Sequence, residues 1–550
     1  MLEGCVPFPP DFTERYRAKG YWEDRPLIDH FRDSFARNAD RVAIVSGEER
    51  ITYRQLGQRV DRLALHLLEL GLGPLDRVVL HLPNIPEFVY LYFAFQRIGA
   101  IPLMALPPHR QHEIGHFVDF IDAAAYVVPD SWGGFRFPEL ALSIREKART
   151  LRHIIVTGSD VPAGCSSVSG WLAAEPSLPA ARLDEVRIDP LEPCCFQLSG
   201  GTTGIPKVIA RTHNDYVYNS KASGAVIDIR PDDALLVVLP IAHNFPLASA
   251  GIQAFLLAGA RIVLSTSVRV ADVMPLIARE RISHLEIVPA LIIRWLDDPG
   301  LASHDLSSVR VVNSGGQKYQ PETKRRTEDV FSQAKVQEVF GMAEGLLMYS
   351  RLDDPPEARI ETVGRPVCPD DEVKLVDDDE HEVPVGEIGE LWVRGPYTLR
   401  GYFRAPEHNA RAFTPDGFYK SGDLLRRRPD GNYVVEGRKK DVINRGGEKI
   451  SAEEVENLLL MHPAVHNVAC VPMPDRVLGE KMCAFAVLHP GQSVGLEELG
   501  AFLTERGLAR YKHPERLEVI AELPTSGFGK IQKNVLAARI ADRLRGESAQ

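Results

Sequence analysis

The chain has few of the features that would place it in a membrane or outside the cell. It has seven cysteines in 550 residues, an odd number with no Cys-x-x-Cys, which argues against a disulfide framework or a zinc site. Its apolar runs are broken within about ten residues, too short to cross a bilayer. Asp11 and Glu14 stand where a signal peptide would need an apolar core. We therefore expect a cytoplasmic protein that neither crosses a membrane nor is secreted.

The chain also lacks an excess of basic residues. It has 64 Lys and Arg against 75 Asp and Glu, a formal net charge of -11. Non-specific nucleic-acid binding leaves a basic face as its footprint, so we expect no DNA or RNA partner. A chain of 550 residues is too long for one core and predicts two or more domains.

The order of the apolar segments predicts a parallel α/β sheet covered by helices on both faces. A helix ending near Gly71 is indicated by apolar residues at steps of four and three: Leu56, Val60, Leu63, Leu67 and Leu70. A strand over 77–82 and a helix from Pro86 to Gly99 follow. Further strands are predicted over 235–239, 261–264, 284–288, 309–313 and 336–340. Ligands usually bind after such strands.

The pattern changes after about residue 365. Short runs over 373–376 and 390–394, with the turn at Pro429-Asp430-Gly431, predict a small antiparallel unit. From about residue 438 the order predicted is strand, helix, two strands, helix and strand, a compact α+β arrangement. We place a domain boundary at 437–441.

A phosphate-binding loop is predicted where a strand-like run ends near residue 198. The loop reads Ser199-Gly200-Gly201-Thr202-Thr203-Gly204-Ile205-Pro206-Lys207. Glycines allow successive N–H groups to turn toward one point, hydroxyls add donors, and the lysine supplies positive charge. The loop is not a Walker A motif, because that motif continues from Lys to Ser or Thr and here Val208 follows.

Together with four later segments, this loop resembles the adenylate-forming superfamily of acyl-CoA synthetases, adenylation domains of nonribosomal peptide synthesis and luciferases. The later segments are FGMAE at 340–344, YKSGD at 419–423, GRKKD at 437–441 and PTSGFGK at 524–530. The resemblance covers essentially the whole chain and implies an α/β fold. It predicts a large N-terminal domain over 1–437, with two α/β subdomains and a small β-barrel-like unit, a hinge over 438–441, and a small mobile α+β domain over 442–550.

The resemblance also implies ATP and Mg²⁺ as cofactors. It assigns the loop, namely Ser199, Gly200, Gly201, Thr202, Thr203, Gly204 and Lys207, to the β- and γ-phosphates, and Glu344 with Thr203 to the metal. Asp423 would accept from the ribose hydroxyls and Arg438 would contact ribose or phosphate. Further ATP contacts are expected at Gly315, Glu338, Val339, Phe340 and Gly341.

Lys530 is expected to be the main catalytic residue, because its family equivalent reaches from the small domain to both the carboxylate and the α-phosphate. Lys440 occupies the family's hinge position, about which the small domain swings between adenylation and thioester formation. Lys533 is expected to be an ordinary solvent-facing lysine.

The substrate is narrowed by the segment HNFPLAS at 243–249, which resembles stand-alone aryl-acid AMP ligases. In those enzymes the asparagine bonds the ortho substituent of a benzoic acid, and His243 would close the carboxylate end of the pocket, also as a catalytic residue. The expected acid-binding residues are His243, Asn244, Phe245, Ser249, Gly316, Leu347 and Lys530. Phe245 and Leu347 leave less room for a 3-hydroxyl and favour salicylate- or anthranilate-like acids, whereas Ser249 fits a 2,3-dihydroxybenzoate pattern.

These residues predict a two-step ligase that makes an aryl adenylate and pyrophosphate, then passes the acyl group to a thiol. Because the chain ends soon after Lys530, the acceptor is expected to be a separate aryl-carrier protein or coenzyme A. A general aryl or acyl-CoA ligase remains an alternative. A luciferase-like oxygenase has no specific support, and a non-catalytic nucleotide sensor disagrees with the presence of Lys530, Glu344, Asp423 and Arg438.

Overall fold

The structure is a computed structural model that describes residues 1–199, 206–445, 448–475, 477–526 and 530–548. The helices of this part of the chain are α1 Pro10–Ala18, α2 Leu27–Arg37, α3 Tyr53–Glu69, α4 Pro86–Ile98, α5 Gln111–Phe120, α6 Phe137–Arg145, α7 Val168–Ala173, α8 His213–Val226, α9 Asn244–Ala248, α10 Ile252–Ala258, α11 Val270–Glu280, α12 Pro289–Leu296, α13 Pro321–Val330, α14 Pro356–Glu361, α15 Pro406–Ala412, α16 Ala452–Leu459, α17 Leu496–Glu505 and α18 Lys533–Ser548.

The strands are β1 Val42–Ser46, β2 Glu49–Thr52, β3 Arg77–Leu80, β4 Ile101–Met104, β5 Ala125–Pro129, β6 Ser131–Trp132, β7 Phe135–Arg136, β8 His153–Thr157, β9 Ser166–Ser167, β10 Pro193–Leu198, β11 Val208–Thr212, β12 Ala234–Val237, β13 Arg261–Leu264, β14 His284–Ile287, β15 Val311–Gly315, β16 Lys335–Met342, β17 Gly345–Tyr349, β18 Arg365–Pro366, β19 Glu372–Val376, β20 Ile388–Arg394, β21 Tyr419–Arg427, β22 Tyr433–Arg438, β23 Val442–Arg445, β24 Glu448–Ser451, β25 Val465–Asp475, β26 Gly479–Leu488 and β27 Arg516–Val519.

Two mixed sheets form the α/β part of the molecule. The first has the order β18-β17-β16-β15-β14-β12-β13-β1-β2 and is parallel from β16 to β1. The second has the order β11-β10-β4-β3-β5-β8-β9 and is parallel from β10 to β9. The parallel α/β sheet expected from the order of segments is thus observed, divided into two subdomains.

Helices α3 and α4 show how the sequence fixes this core. Thr52 and Gln55 form a capping box at the start of α3, and Leu56, Leu63 and Leu67 of its predicted face are buried, whereas Leu70 is half-buried. The helix ends at Glu69, two residues before Gly71, which takes a φ of 76°. Helix α4 is buried at every position except Glu87. A helix that is apolar all round must lie inside the protein, and α4 packs with α2 and α3 in the largest apolar cluster.

Two smaller sheets follow along the chain. Strands β19-β20-β21-β22 form the antiparallel unit expected after residue 365. The last sheet, β24-β23-β26-β25 with β27 beside β26, is covered by α16, α17 and α18. It begins with a hairpin, β23 and β24, where a single strand was expected, and the chain adds α18 after the final strand. No described helix is long and apolar enough to cross a membrane.

Candidate functional site

The predicted site residues of the first sheet gather at one edge of that sheet. Gly315 ends β15, and Glu344 lies in the turn after β16. His243 caps α9, the helix that follows β12, and Val288 follows β14. Carboxyl ends of parallel strands share an edge, which is where ligands bind in such sheets. Residues separated by about a hundred positions are therefore neighbours here.

The phosphate loop connects two antiparallel strands, β10 and β11. Ser199 N–H donates to the Lys207 carbonyl over 2.9 Å, and Lys207 N–H donates to the Ser199 hydroxyl, also over 2.9 Å. These two bonds close the base of the loop. The residues between them that were assigned to phosphate or metal, Gly200, Gly201, Thr202, Thr203 and Gly204, lie outside the described residues.

The base of the loop faces the carboxylate predicted to hold the metal. Lys207 Nζ lies 5.6 Å from the centre of the Tyr402 ring. The Tyr402 hydroxyl donates to Glu344 Oε1 over 2.8 Å and lies 2.9 Å from the Tyr419 hydroxyl. Glu344 is 8% exposed. Burial, together with Glu344, raises the pKa of both phenols, so they remain neutral and hold the carboxylate in place.

The two residues predicted to contact ribose are paired on neighbouring strands. Asp423 of β21 opposes Arg438 of β22, and Arg438 Nε donates to Asp423 Oδ1 over 2.8 Å. Ser421 accepts from the Asp423 N–H over 3.0 Å. Burial raises the pKa of the Asp423 carboxyl, while the positive charges of Arg438 and Lys530 oppose that rise. Lys530 therefore lies near the predicted ribose site.

Two glycines among the predicted ATP residues are required by close packing. A Cβ on Gly315 would lie 2.5 Å from the Val339 side chain, and a Cβ on Gly341 would lie 2.5 Å from Leu347.

Glu338, another predicted ATP contact, is bonded to other residues of the protein. Its carboxylate pairs with Lys324 over 2.6 Å and accepts from the Tyr319 N–H over 3.0 Å. The structure thus occupies the Glu338 carboxylate with internal partners, and its contact with ATP stays a prediction, as does that of the half-buried Phe340.

Lys530 lies beside Gly316, one of the predicted acid-binding residues. A Cβ built on Gly316 would be 3.8 Å from Lys530 Cε and 3.8 Å from Val288. His243 Nδ1 accepts from the Phe245 N–H over 3.3 Å, which leaves the proton of the neutral ring on Nε2. Burial lowers the pKa of His243 to about 3, and the positive charge of Lys530 contributes to this lowering. A neutral histidine N–H and a cationic lysine therefore stand at one end of the pocket.

Asn244 has its amide orientation fixed by two neighbours. The Tyr216 hydroxyl donates to Asn244 Oδ1, and Asn244 Nδ2 donates to the Ser249 hydroxyl, each over 2.9 Å. Gln197 Nε2 in turn donates to the Tyr216 oxygen over 3.0 Å. Asn244 keeps one N–H and one lone pair beyond these bonds, so it can still bond an ortho hydroxyl or amine.

We call the predicted acid-binding residues Asn244, Phe245, Ser249, Gly316 and Leu347 the walls of the candidate acid pocket. Phe245 and Leu347 are 9% and 1% exposed and belong to one apolar cluster with Val339 and Tyr349. The Tyr349 hydroxyl donates to the Ser249 carbonyl over 2.9 Å. The pocket is therefore apolar at its sides and polar at Asn244, which suits a flat ring with one polar ortho group.

Sequence reasoning missed several residues that hold this site. Tyr402, Tyr216 and Val288 stand in no recognisable motif, and only the folded chain brings them to the site. Lys533 was expected in solvent, but its Nζ pairs with Glu456 over 2.7 Å at a largely buried position. Lys533 begins α18, which packs on β25, and its partner Glu456 lies in α16.

Comparison with known proteins identifies the class to which this fold and site belong. The family model described as AMP-binding enzyme matches residues 31–403, and the model described as AMP-binding enzyme C-terminal domain matches residues 454–530. The chain therefore belongs to the AMP-binding enzyme family. The expected resemblance to adenylate-forming enzymes and the expected α/β fold are both confirmed.

Individual relatives share nearly the full length. The chain is 46% identical over 545 residues to a 2,3-dihydroxybenzoate-AMP ligase of Bacillus subtilis, covering 99% of each. It is 43% identical over 548 residues to a salicyl-AMP ligase / salicyl-S-ArCP synthetase of Mycobacterium tuberculosis, covering 98% of this chain and 95% of that one.

Solved structures agree with this fold. MbtA of Mycobacterium smegmatis, solved without ligand, matches with a TM-score of 0.75 at 41% identity, covering 98% of this chain and 99% of that one. The anthranilate CoA ligase AuaEII in complex with anthranoyl-AMP matches with a TM-score of 0.86 at 26% identity, covering 95% and 98%.

Proposed function

We propose that this enzyme activates an aromatic carboxylic acid with ATP and then transfers the acyl group to a thiol. The observation that carries the proposal is the position of Lys530, which reaches from the last sheet's domain to Gly316 at one end of the candidate acid pocket. The names of the relatives, which are ligases of dihydroxybenzoate and salicylate, support an aromatic acid.

In the first step a carboxylate oxygen attacks the α-phosphorus of ATP. A new P–O bond forms, the bond to pyrophosphate breaks, and negative charge develops on the α-phosphoryl and departing oxygens. Lys530 neutralises charge on the carboxylate and α-phosphate, and Lys207 steadies the pyrophosphate. His243 Nε2–H orients the carboxylate. These groups are placed before the reaction, so little reorganisation is needed in the transition state.

The residues present fit a Mg²⁺ ion. Mg²⁺ is usually bound by one or two carboxylates together with substrate phosphates, and Glu344 is a buried carboxylate facing the base of the phosphate loop. Tyr402 holds one of its oxygens. When bound, the ion would offset the charge of the phosphates. Asp423 and Arg438 would orient the ribose.

We infer a salicylate- or anthranilate-like acid. Asn244 offers one donor and one acceptor to an ortho group, whereas Phe245 and Leu347 present no polar atom to a 3-substituent. The contacts of Ser249 with Asn244 do not favour dihydroxybenzoate, because the Ser249 hydroxyl is already engaged by the Asn244 amide.

The second step requires that Lys530 withdraw and a thiol approach. We propose rotation about the 438–441 segment, with Lys440 as hinge, where a short 3-10 turn links the third and last sheets.

The acceptor is a carrier-protein phosphopantetheine or coenzyme A. Loading a purified aryl-carrier protein and coenzyme A in parallel separates the two, since the true acceptor gives the faster thioester formation. A cytoplasmic location stays a prediction.

Pyrophosphate exchange into ATP tests the proposed function directly. The acids to compare are salicylate, anthranilate, 2,3-dihydroxybenzoate, benzoate, picolinates and a fatty acid. We expect exchange with acids that carry an ortho donor and little with benzoate or the fatty acid. Exchange with the fatty acid alone would show that the aromatic assignment is wrong.

A further inference from the structure

Three buried polar side chains stand side by side on neighbouring strands of the first sheet. Glu286 of β14 is in register with Asn313 of β15, and Asn313 is in register with Gln337 of β16. Side chains of paired residues point to the same face of a sheet. Their exposed fractions are 2%, 0% and 0%. We call these three residues the polar row.

The polar row lies directly behind the candidate acid pocket. Val288 and Gly315 come two residues after Glu286 and Asn313, so they share the same face one step further along. Val288 lies beside Gly316, as Lys530 does. Lys530 is the residue proposed to bind the carboxylate, so Val288 lies at the carboxylate end of the pocket. Two residues of a strand span about 7 Å, so Glu286 lies roughly an aromatic ring's length behind that end.

A second contact places Glu286 beside the pocket wall. Tyr349 opposes Val339 across β16 and β17, and its hydroxyl donates to the Ser249 carbonyl. Burial raises the pKa of the Tyr349 phenol well above its usual value, and the nearby Glu286 carboxyl raises it further. Glu286 thus faces the same interior layer as Ser249.

The polar atoms of the row have few partners within the protein. Among the described residues, both carboxyl oxygens of Glu286, both amide atoms of Asn313 and Oε1 of Gln337 have no hydrogen-bond partner. Gln337 Nε2 alone donates, to the Ser350 carbonyl over 2.6 Å. Buried polar side chains are nearly always bonded, so a group that both donates and accepts is the complement of this row.

We propose that Glu286 and Asn313 bind a hydroxyl or amino group on the edge of the aromatic ring remote from the carboxylate. The preferred acid then carries this group in addition to the ortho group held by Asn244. This inference rests on the proposed function. β14 lies on the opposite side of β15 and β16 from β17, which carries Leu347. The group recognised therefore sits at ring position 4 or 5 when the ortho group is at position 2.

Pyrophosphate exchange with salicylate, its 4- and 5-hydroxy and 4- and 5-amino derivatives, and 2,3-dihydroxybenzoate tests the inference. In the unaltered enzyme we expect at least one 4- or 5-substituted acid to exceed salicylate in kcat/KM by about tenfold. Glu286→Ala should remove that preference while leaving kcat/KM for salicylate within about threefold. Burial raises the pKa of the Glu286 carboxyl well above its usual value, so a protonated Glu286 both donates and accepts. Glu286→Gln also keeps a donor and an acceptor, so it should retain the preference that Glu286→Ala loses.

Ser350→Ala is the matched control, because it removes a buried side-chain hydroxyl, also without a hydrogen-bond partner among the described residues, that directly follows β17. It should leave the ranking of acids unchanged. Thermal unfolding of each variant reports whether the fold is intact. Salicylate as the best acid, with the same ranking in Glu286→Ala, would overturn the inference and leave the proposed function standing. No exchange with any aromatic acid would overturn both.

Discussion

At the scale of single residues, Lys530, the lysine proposed to act in adenylation, differs from Lys533 in its contacts. Lys530 lies beside Gly316 and lowers the pKa of His243, whereas Lys533, three residues on, is paired with Glu456. Lys207 lies at the base of the phosphate loop, near the Tyr402 ring. We therefore propose that the two lysines act on different ends of ATP.

Lys530→Ala is expected to slow pyrophosphate exchange by a factor of about 10² to 10³, the usual effect of removing one group that binds developing charge. ATP binding, measured by calorimetry, should change little, because the lysine acts mainly in the transition state. Lys481→Ala is the control, since Lys481 pairs with Asp475 in the same domain, away from the site. Undiminished exchange in Lys530→Ala would refute the assigned role.

At the scale of elements, Arg211 at the end of β11 joins three parts of the site. Its Nε donates to Asp215 in α8 over 2.8 Å, and its Nη atoms donate to the carbonyls of Ala343 and Tyr397. Its guanidinium also lies 4.7 Å from the centre of the Tyr216 ring. Arg211 thus supports both the turn that carries Glu344 and the tyrosine that orients Asn244.

Arg211→Met should lower the free energy of unfolding by about 3 to 5 kcal/mol, because it leaves the Asp215 carboxylate buried without its cation. Urea unfolding followed by circular dichroism measures this change. Adding Asp215→Asn should restore part of the loss, since the uncompensated charge is then gone. A single variant within about 1 kcal/mol of the unaltered protein would show that the pair contributes only as a surface ion pair does.

At the scale of the whole molecule, contacts between the last domain and the rest hold Lys530 in place. Lys318 Nζ lies 3.5 Å from Glu453 of α16. Gln320 bonds Asn457, and the Ser451 hydroxyl donates to the Glu436 carbonyl over 2.8 Å. Rotation about the hinge would break these contacts.

Lys318→Ala should therefore slow adenylation more than thioester formation from preformed aryl adenylate. A loss of about 1 kcal/mol corresponds to about fivefold in the population of the adenylation pose. Single-turnover kinetics of the two steps measures the split. Lys335→Ala is the control, since the Lys335 ammonium donates to the Leu352 carbonyl of its own domain. Equal slowing of both steps would contradict a role in docking.

The same contact predicts a pH dependence. Burial raises the pKa of Glu453 to about 7, with Glu456 and Glu338 adding to the rise and Lys318 and Lys533 opposing it. Because the docked pose raises the pKa of Glu453, protonated Glu453 favours docking. This contribution is fully present at a pH below the ordinary pKa of a glutamate, and it is lost as the pH rises through about 7. The ratio of the two rates should shift toward thioester formation over that range, and Glu453→Gln should remove this shift.

The features predicted correctly from the sequence are those that depend on residues close together along the chain. Motifs such as FGMAE and YKSGD are contiguous, and the parallel core follows from segment lengths and periodicity. The prediction that Lys533 faces solvent was wrong, because its burial depends on α18 packing against β25. No local sequence pattern contains that contact. Glu286 was missed for a similar reason, since it lies inside an ordinary strand and its importance depends on its register with Asn313.

The sequence by itself determined the class of chemistry, because the glycines, hydroxyls, lysines and carboxylates that handle ATP occur in short, recognisable runs. It also determined that the core is a parallel sheet, since apolar periodicity is a local property. Only the tertiary structure decided which residues surround the acid. Strand register brings Glu286, Asn313 and Gln337 together, and domain docking brings Lys530 to Gly316. Both depend on packing between distant segments, which the order of residues does not display.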